Sequence, residues 1–109
     1  MDGADSFGNR VIDFHFNLSH DWKLPTGIEL LYPFENNETQ NLFSQFYLKY
    51  FNDNNIRHFL FGINPGRFGA GITGIPFTDP KLLESECDIP NHFKKKNELS
   101  AIFVYDFIH

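Results

Sequence analysis

The sequence has a single cysteine, Cys87, among its 109 residues. One thiol cannot close an intramolecular disulfide, nor can it supply the four thiolates of an iron–sulfur cluster. Basic residues are also scarce. Only 9 Lys and Arg stand against 14 Asp and Glu, for a formal net charge of -5. A nucleic-acid-binding domain ordinarily carries the opposite balance. No apolar run is long enough to span a bilayer, and residues 1–5 are acidic, unlike the positive start of a secretory leader. These absences predict a soluble intracellular protein without membrane contact, cytoplasmic in a bacterium or nuclear in a eukaryote. In that setting Asn17-Leu18-Ser19 and Asn37-Glu38-Thr39 read as chance sequons, because glycosylation needs a secretory context. No Gly-Lys-Ser/Thr follows a glycine run, so a Walker phosphate loop is excluded.

Phenylalanine, by contrast, is abundant: 14 residues, within a composition that is 41% hydrophobic. Such a chain can bury a core and is not disordered, and its length suits a single domain over residues 1–109. Residues 10–18 alternate weakly and fit either a strand or a helix, which period alone does not separate. His15 and His20 are five residues apart, do not share a helical face, and read as structural. Leu24-Pro25-Thr26-Gly27 signals a turn, followed by a short apolar strand over 28–32 closed by Pro33. Asn37 with Gln40 three residues on predicts a capped helix start, and the helix runs to about Asn52. Its stripe of Leu42, Phe43, Phe46, Tyr47, Tyr50 and Phe51 is the spacing of a core-facing side.

Residues 56–63 read as the next strand, which completes a strand–helix–strand crossover unit. Asp79 or Thr78 is expected to cap a short helix over 80–86 with Pro80 at its first position. Lys94-Lys95-Lys96 reads as a solvated turn. Residues 100–108 (SAIFVYDFI) form a continuous apolar run of the kind buried on both faces of a parallel sheet. The expected fold is therefore α/β, a parallel sheet flanked by helices. Because no covering helix follows the last strand, the sheet is expected to be incomplete and to be finished by further chain or by another copy.

The stretch over 59–77, FLFGINPGRFGAGITGIPF, organises the chain. An apolar strand (Phe59, Leu60, Phe61) breaks at Gly62-Ile63-Asn64-Pro65-Gly66, and the residues after Gly66 read as too rich in glycine and proline for a helix or second strand. In open α/β sheets ligands gather at the carboxyl ends of strands, and Asn64 is the polar side chain delivered there. Pro65 pushes Asn64 toward extended geometry, and Gly66 can take the positive φ of a sharp turn. Gly69-Ala70-Gly71-Ile72-Thr73-Gly74 satisfies G-x-G-x-x-G, but that fingerprint needs a strand immediately before it and a helix opening within it. Asn64-Pro65 and Ile75-Pro76 refuse both conditions. Two readings remain: an irregular structural connection, or a pocket for a flat polar ring. The second would combine backbone N–H groups of the glycine turn, the Asn64 amide and the face of Phe77.

Gly62-Ile63-Asn64-Pro65-Gly66-Arg67-Phe68-Gly69, followed by Thr73-Gly74-Ile75-Pro76-Phe77, resembles the first active-site motif of the uracil-DNA glycosylase superfamily. It is most similar to the single-strand-selective monofunctional enzymes and their bacterial relatives, with G-x-N-P-G-x-F-G and then T-G-x-P-F. The resemblance extends over Leu24-Pro25-Thr26-Gly27-Ile28, Tyr32-Pro33-Phe34, the helix from Leu42 to Phe51, and the last apolar run. It implies a three-layer sheet-and-helix fold, a flipped-out uracil or modified uracil in DNA as substrate, and hydrolysis of its N-glycosidic bond. It further implies that Asn64 orients the water and Phe77 stacks on the base. The backbone at Ile63 helps read the ring, and Phe68 and Ala70 contribute to the substrate wall. Gly66 stands where stricter members carry a tyrosine that rejects thymine's methyl. Arg67 departs from the proline of animal members and is either a phosphate contact or a surface arginine. No cofactor or metal is implied.

The same resemblance implies that this chain is about the amino-terminal half of such a domain. The family's later histidine loop and its uracil-reading asparagine have no counterpart in these residues, so the chain alone is expected to be inactive. DNA is the implied partner of the complete domain. The alternative is a non-catalytic module that self-associates as a homo-oligomer through its unfinished sheet.

Overall fold

The longest helix begins where a side chain can stand in for the backbone acceptors that a helix start lacks. In the computed structural model, which describes residues 5–18, 22–30, 32–62, 66, 68–96 and 98–108, Asn36 accepts from the amides of Glu38 at 2.8 Å and Thr39 at 3.3 Å. It thereby caps α2, Asn37–Tyr50. The cap lies one residue before the expected Asn37, and Gln40 meets Asn36 through its backbone amide, which donates to the Asn36 carbonyl at 3.0 Å, and not through its side chain. The Gln40 side-chain amide donates to the carbonyl of Phe34 instead, tying α2 to the 3-10 turn Pro33–Glu35 that precedes it.

α1, Phe7–Phe16, is capped by Ser6 and crosses α2. Its first amides find acceptors outside the helix: Phe7 and Gly8 donate to the carbonyls of Asp53 and Phe51, each at 2.8 Å. A helix start thus uses carbonyls just past the end of another helix, which satisfies donors that would otherwise be orphaned. Residues 10–18, open to either reading in the sequence, are largely helical. The core centres on Phe34, Leu42, Phe43, Ile75, Leu83 and Ile89, all buried. Phe34 and Phe43 meet edge to face with ring centroids 4.8 Å apart. His15 packs against both rings and donates from Nδ1 to the carbonyl of Val11, which is a structural role. His20 lies outside the described residues.

Three shorter elements complete the helical set: α3, Ala70–Thr73; α4, Pro80–Ser85; and α5, Leu99–Ile108. α4 starts with Asp79 as cap and Pro80 at its first position. No helix among the described residues is long and apolar enough to cross a membrane.

The expected α/β fold is corrected. Among the described residues there is no β-strand and therefore no parallel sheet; the regular structure is helical. The run over 100–108, expected as a strand buried on both faces, is helix α5. Ala101, Val104 and Tyr105 face inward, whereas Leu99, Phe103 and Phe107 are 83%, 69% and 77% exposed. Apolar residues on both sides hide the helical period, which is why the run reads as continuous. Residues 28–30 are irregular, with the Ile28 amide closing a turn onto the carbonyl of Pro25. Residues 56–62 are irregular too. Phe59 and Phe61 stack side by side as alternate residues of a strand would, but no neighbouring segment pairs with them among the described residues. A strand exists only through its lateral hydrogen bonds, and a helix supplies its own.

Tyr47 packs among Phe43, Phe46 and Phe51, and burial pushes its pKa up to about 12. The folded chain therefore holds this proton more tightly than the unfolded chain, whose tyrosines titrate at about 10. Burial raises Tyr105 in the same direction. Stability is full below about pH 10 and declines as the pH rises through about 12. Urea unfolding followed between about pH 9 and pH 12 should show this decline, and Tyr47→Phe should flatten it.

Candidate active site

The glycine-rich segment forms a tight turn and then a single turn of helix. The carbonyl of Gly66 accepts from the amides of Gly69 at 3.3 Å and Gly71 at 2.7 Å. α3 comes directly after, so the expectation that no helix could form after Gly66 is corrected for these four residues. Gly74 ends α3 with φ +76, a left-handed geometry natural to glycine. A β-carbon there would lie 2.4 Å from the Phe34 ring, so the same position also lets α3 sit on the core.

The second half of the motif divides into scaffold and surface. Thr73 and Ile75 are fully buried, the Thr73 hydroxyl donating to the Gly69 carbonyl and accepting from the Ile75 amide. The Thr39 hydroxyl, on α2, donates to the carbonyl of Ile72 at 2.9 Å and holds α3 in place. Thr78 is buried and shares a 2.7 Å hydrogen bond with the hydroxyl of Tyr105 on α5. Asp79 is buried with both carboxylate oxygens engaged: one accepts from Leu82 at 2.8 Å, the other from Glu98 at 2.9 Å. The polar groups of Thr39, Thr73, Thr78 and Asp79 are all engaged within the protein, and of the four Thr78 also lines the groove beside Phe77.

Among the described motif residues, the side chains of Phe68, Pro76 and Phe77 reach the surface. Phe77 is half-buried with φ +59, in the left-handed region that a bulky residue avoids. Holding it there costs roughly 1–3 kcal/mol, and such strain clusters at functional sites. Its ring lies against Gly62, where a β-carbon would stand 3.2 Å from the ring tip. Phe77 also walls a groove of about 500 Å³, with Tyr50, Leu60, Val104, Tyr105 and Ile108 among its other walls. Phe68 lies on the Gly66 turn with the Lys96 ammonium 4.1 Å from its ring centroid.

Of the residues singled out in the sequence, the structure brings Gly66, Phe68 and Ala70 into one turn and seats Phe77 against Gly62. Ile63, Asn64 and Arg67 lie outside the described residues. Neither a family model nor a curated protein matches the chain. Among solved structures, the crystal structure of wild-type Pedobacter heparinus SMUG2 matches with 48% identity and a TM-score of 0.84, over 94% of this chain. The chain is related to the single-strand-selective uracil-DNA glycosylases. It spans 45% of the length of that glycosylase relative.

Within this glycosylase-related chain, two neighbours of the motif, Lys96 and Glu98, escape sequence reasoning. Lys96 reads as part of a solvated turn, yet it covers the Phe68 ring. Glu98 donates its amide to Asp79 and accepts the Phe68 amide at 2.8 Å. Nothing in the local sequence marks either one, because both are about 30 positions from the aromatic residue they meet.

The backbone at Phe77 gives a direct test. Phe77→Ala and Phe77→Gly remove the same ring contacts but differ in their tolerance of positive φ. The glycine variant should be the more stable by about 1 kcal/mol in urea unfolding.

Proposed function

We propose that this chain carries the water-positioning half of a site that hydrolyses the N-glycosidic bond of uracil, or a modified uracil, flipped out of DNA. The observation that carries the reading is the 48% identity to SMUG2 over 94% of the chain. The strained, surface-reaching Phe77 beside Gly62 supports it, as the arrangement a stacking face requires.

In this reading the bond between C1′ of the sugar and N1 of the base breaks with its electron pair leaving on the base. Asn64 orients a water that adds to C1′ and gives up a proton, while the base anion takes one up. The sugar passes through a reactive cationic state, so a neutral amide that only orients the water is adequate, and catalysis is chiefly electrostatic placement. Phe77 stacks on the flipped base, worth roughly 1–3 kcal/mol by analogy with other base–aromatic pairs. The backbone at Ile63 reads the ring edge, Phe68 and Ala70 add to the pocket wall, and Arg67 reaches a phosphate. Gly66 leaves room beside the base, which admits modified uracils. The site draws on no cofactor.

Groups that stabilise the departing anion are sought in the part of the relative that this chain does not cover. The 109-residue chain alone is therefore expected not to release uracil. Joined to that remaining part of the Pedobacter heparinus protein, it should release uracil from single-stranded DNA. In the joined protein Asn64→Ala should slow release by about 10²–10⁴-fold. Unchanged release in that variant would refute the assignment.

A second reading has its own observation. Leu99, Phe103 and Phe107 leave one side of α5 apolar and exposed, and Phe59, Leu60 and Phe61 add to the exposed apolar surface. Surfaces of this kind favour association, which supports a non-catalytic module that assembles with itself through a helix face. Light scattering after size exclusion separates the two: a dimer at micromolar concentration supports self-association, and a monomer removes it.

A further inference from the structure

Glu98 occupies a position that nothing in the motif discloses. Its backbone is fixed on both sides. The amide donates to the buried Asp79 carboxylate at 2.9 Å, and the carbonyl accepts from Ile102 at 3.1 Å as α5 begins. Asp79 is itself pinned, because its other oxygen caps α4 through the Leu82 amide. From this anchored base the Glu98 side chain reaches the glycine turn, where one carboxylate oxygen accepts the Phe68 amide at 2.8 Å.

The same side chain fills the space that two glycines leave empty. A β-carbon on Gly66 would lie 2.6 Å from the Glu98 carboxyl carbon, and one on Gly69 would lie 2.8 Å from Glu98 Cγ and 2.5 Å from the Thr78 carbonyl. Any larger residue at either position would have to displace the carboxylate or, at Gly69, backbone as well. Lys96 adds a second contact to this turn, its ammonium over the Phe68 ring. A charge-assisted bond to a backbone amide is stronger than a neutral one, and here it is delivered by a residue whose own backbone is held by a buried group.

We infer that Glu98 is a positioning residue for the 66–69 turn, holding Gly66 and Phe68 where the flipped base would meet them. Its effect on the reaction rests on the reading proposed above. The carboxylate does not touch substrate; it acts through the Phe68 amide and through the close fit of Gly66 and Gly69. Small displacements of positioning groups carry large rate penalties, about 10²-fold for about 1 Å.

Two readouts keep this inference separate from the functional reading. In the 109-residue chain, amide exchange at Phe68 should speed up by about tenfold or more in Glu98→Ala, while exchange at Leu82, capped by Asp79, stays at the wild-type rate. Glu98→Gln keeps an acceptor oxygen and should restore most of the protection. In the joined protein, Glu98→Ala should lower kcat by about 10²-fold with little change in KM, and Glu98→Gln should recover most of it. Should Glu98→Ala not fold, Glu98→Gln remains decisive. Its Phe68 amide proton must move upfield as the acceptor loses its charge, and an unmoved resonance overturns the inference. Unchanged Phe68 exchange in a folded Glu98→Ala chain, or wild-type kcat in that variant, overturns it as well. A joined wild-type protein that releases no uracil defeats the functional reading instead, and Phe68 exchange then decides the positioning role by itself.

Discussion

A buried carboxylate holds the second half of this chain together. Asp79 is fully enclosed, and an enclosed carboxylate is tolerated only where donors replace the water it has lost. It finds two, the Leu82 amide at the start of α4 and the Glu98 amide just ahead of α5. A single side chain therefore ties together the starts of two successive helices. Removing one donor would strand the charge, so the helix starts depend on each other. Through Glu98 the constraint passes on to the glycine turn that bears the candidate site.

The motif serves two physical purposes within a few residues. Thr73 and Ile75 are buried within it, and directly after it Thr78 and Asp79 are buried too, Thr78 bonded to Tyr105 of α5 and Asp79 accepting from the Leu82 amide of α4. Phe68 and Phe77 are carried on that frame and reach the surface, Phe77 with a backbone geometry that its own side chain disfavours. The frame supplies the rigidity that makes such strain sustainable.

Parts of the fold are legible in the sequence because their signals are local. The α2 stripe, the Asp79 cap with Pro80 behind it, and the turn at Pro25 all rest on contacts within a few residues. The cap of α2 stands one residue earlier than expected because Asn36 and Asn37 are equally good caps in isolation, and the turn at Pro33–Glu35 favours the first. The expected sheet fails for a different reason. An apolar run of this length fits a buried strand and a helix with two apolar faces equally well, and α5 is the latter. Residues 56–62 have the composition of a strand, but pairing needs a neighbour that local composition does not supply.

For the site, sequence alone determined which residue types stand at which spacing, and that was sufficient to relate the chain to the glycosylases through Gly62 to Phe77. It also determined the glycine positions, since the backbone turns they permit are encoded one residue at a time. Only the tertiary structure decided which motif residues are frame and which are face, that Phe77 lies against Gly62, and that Glu98 underpins the turn. The physical reason is separation. Capping, turn geometry and helical period act over a few residues and leave a local record, whereas a carboxylate meeting an amide 30 positions away leaves none until the chain has folded.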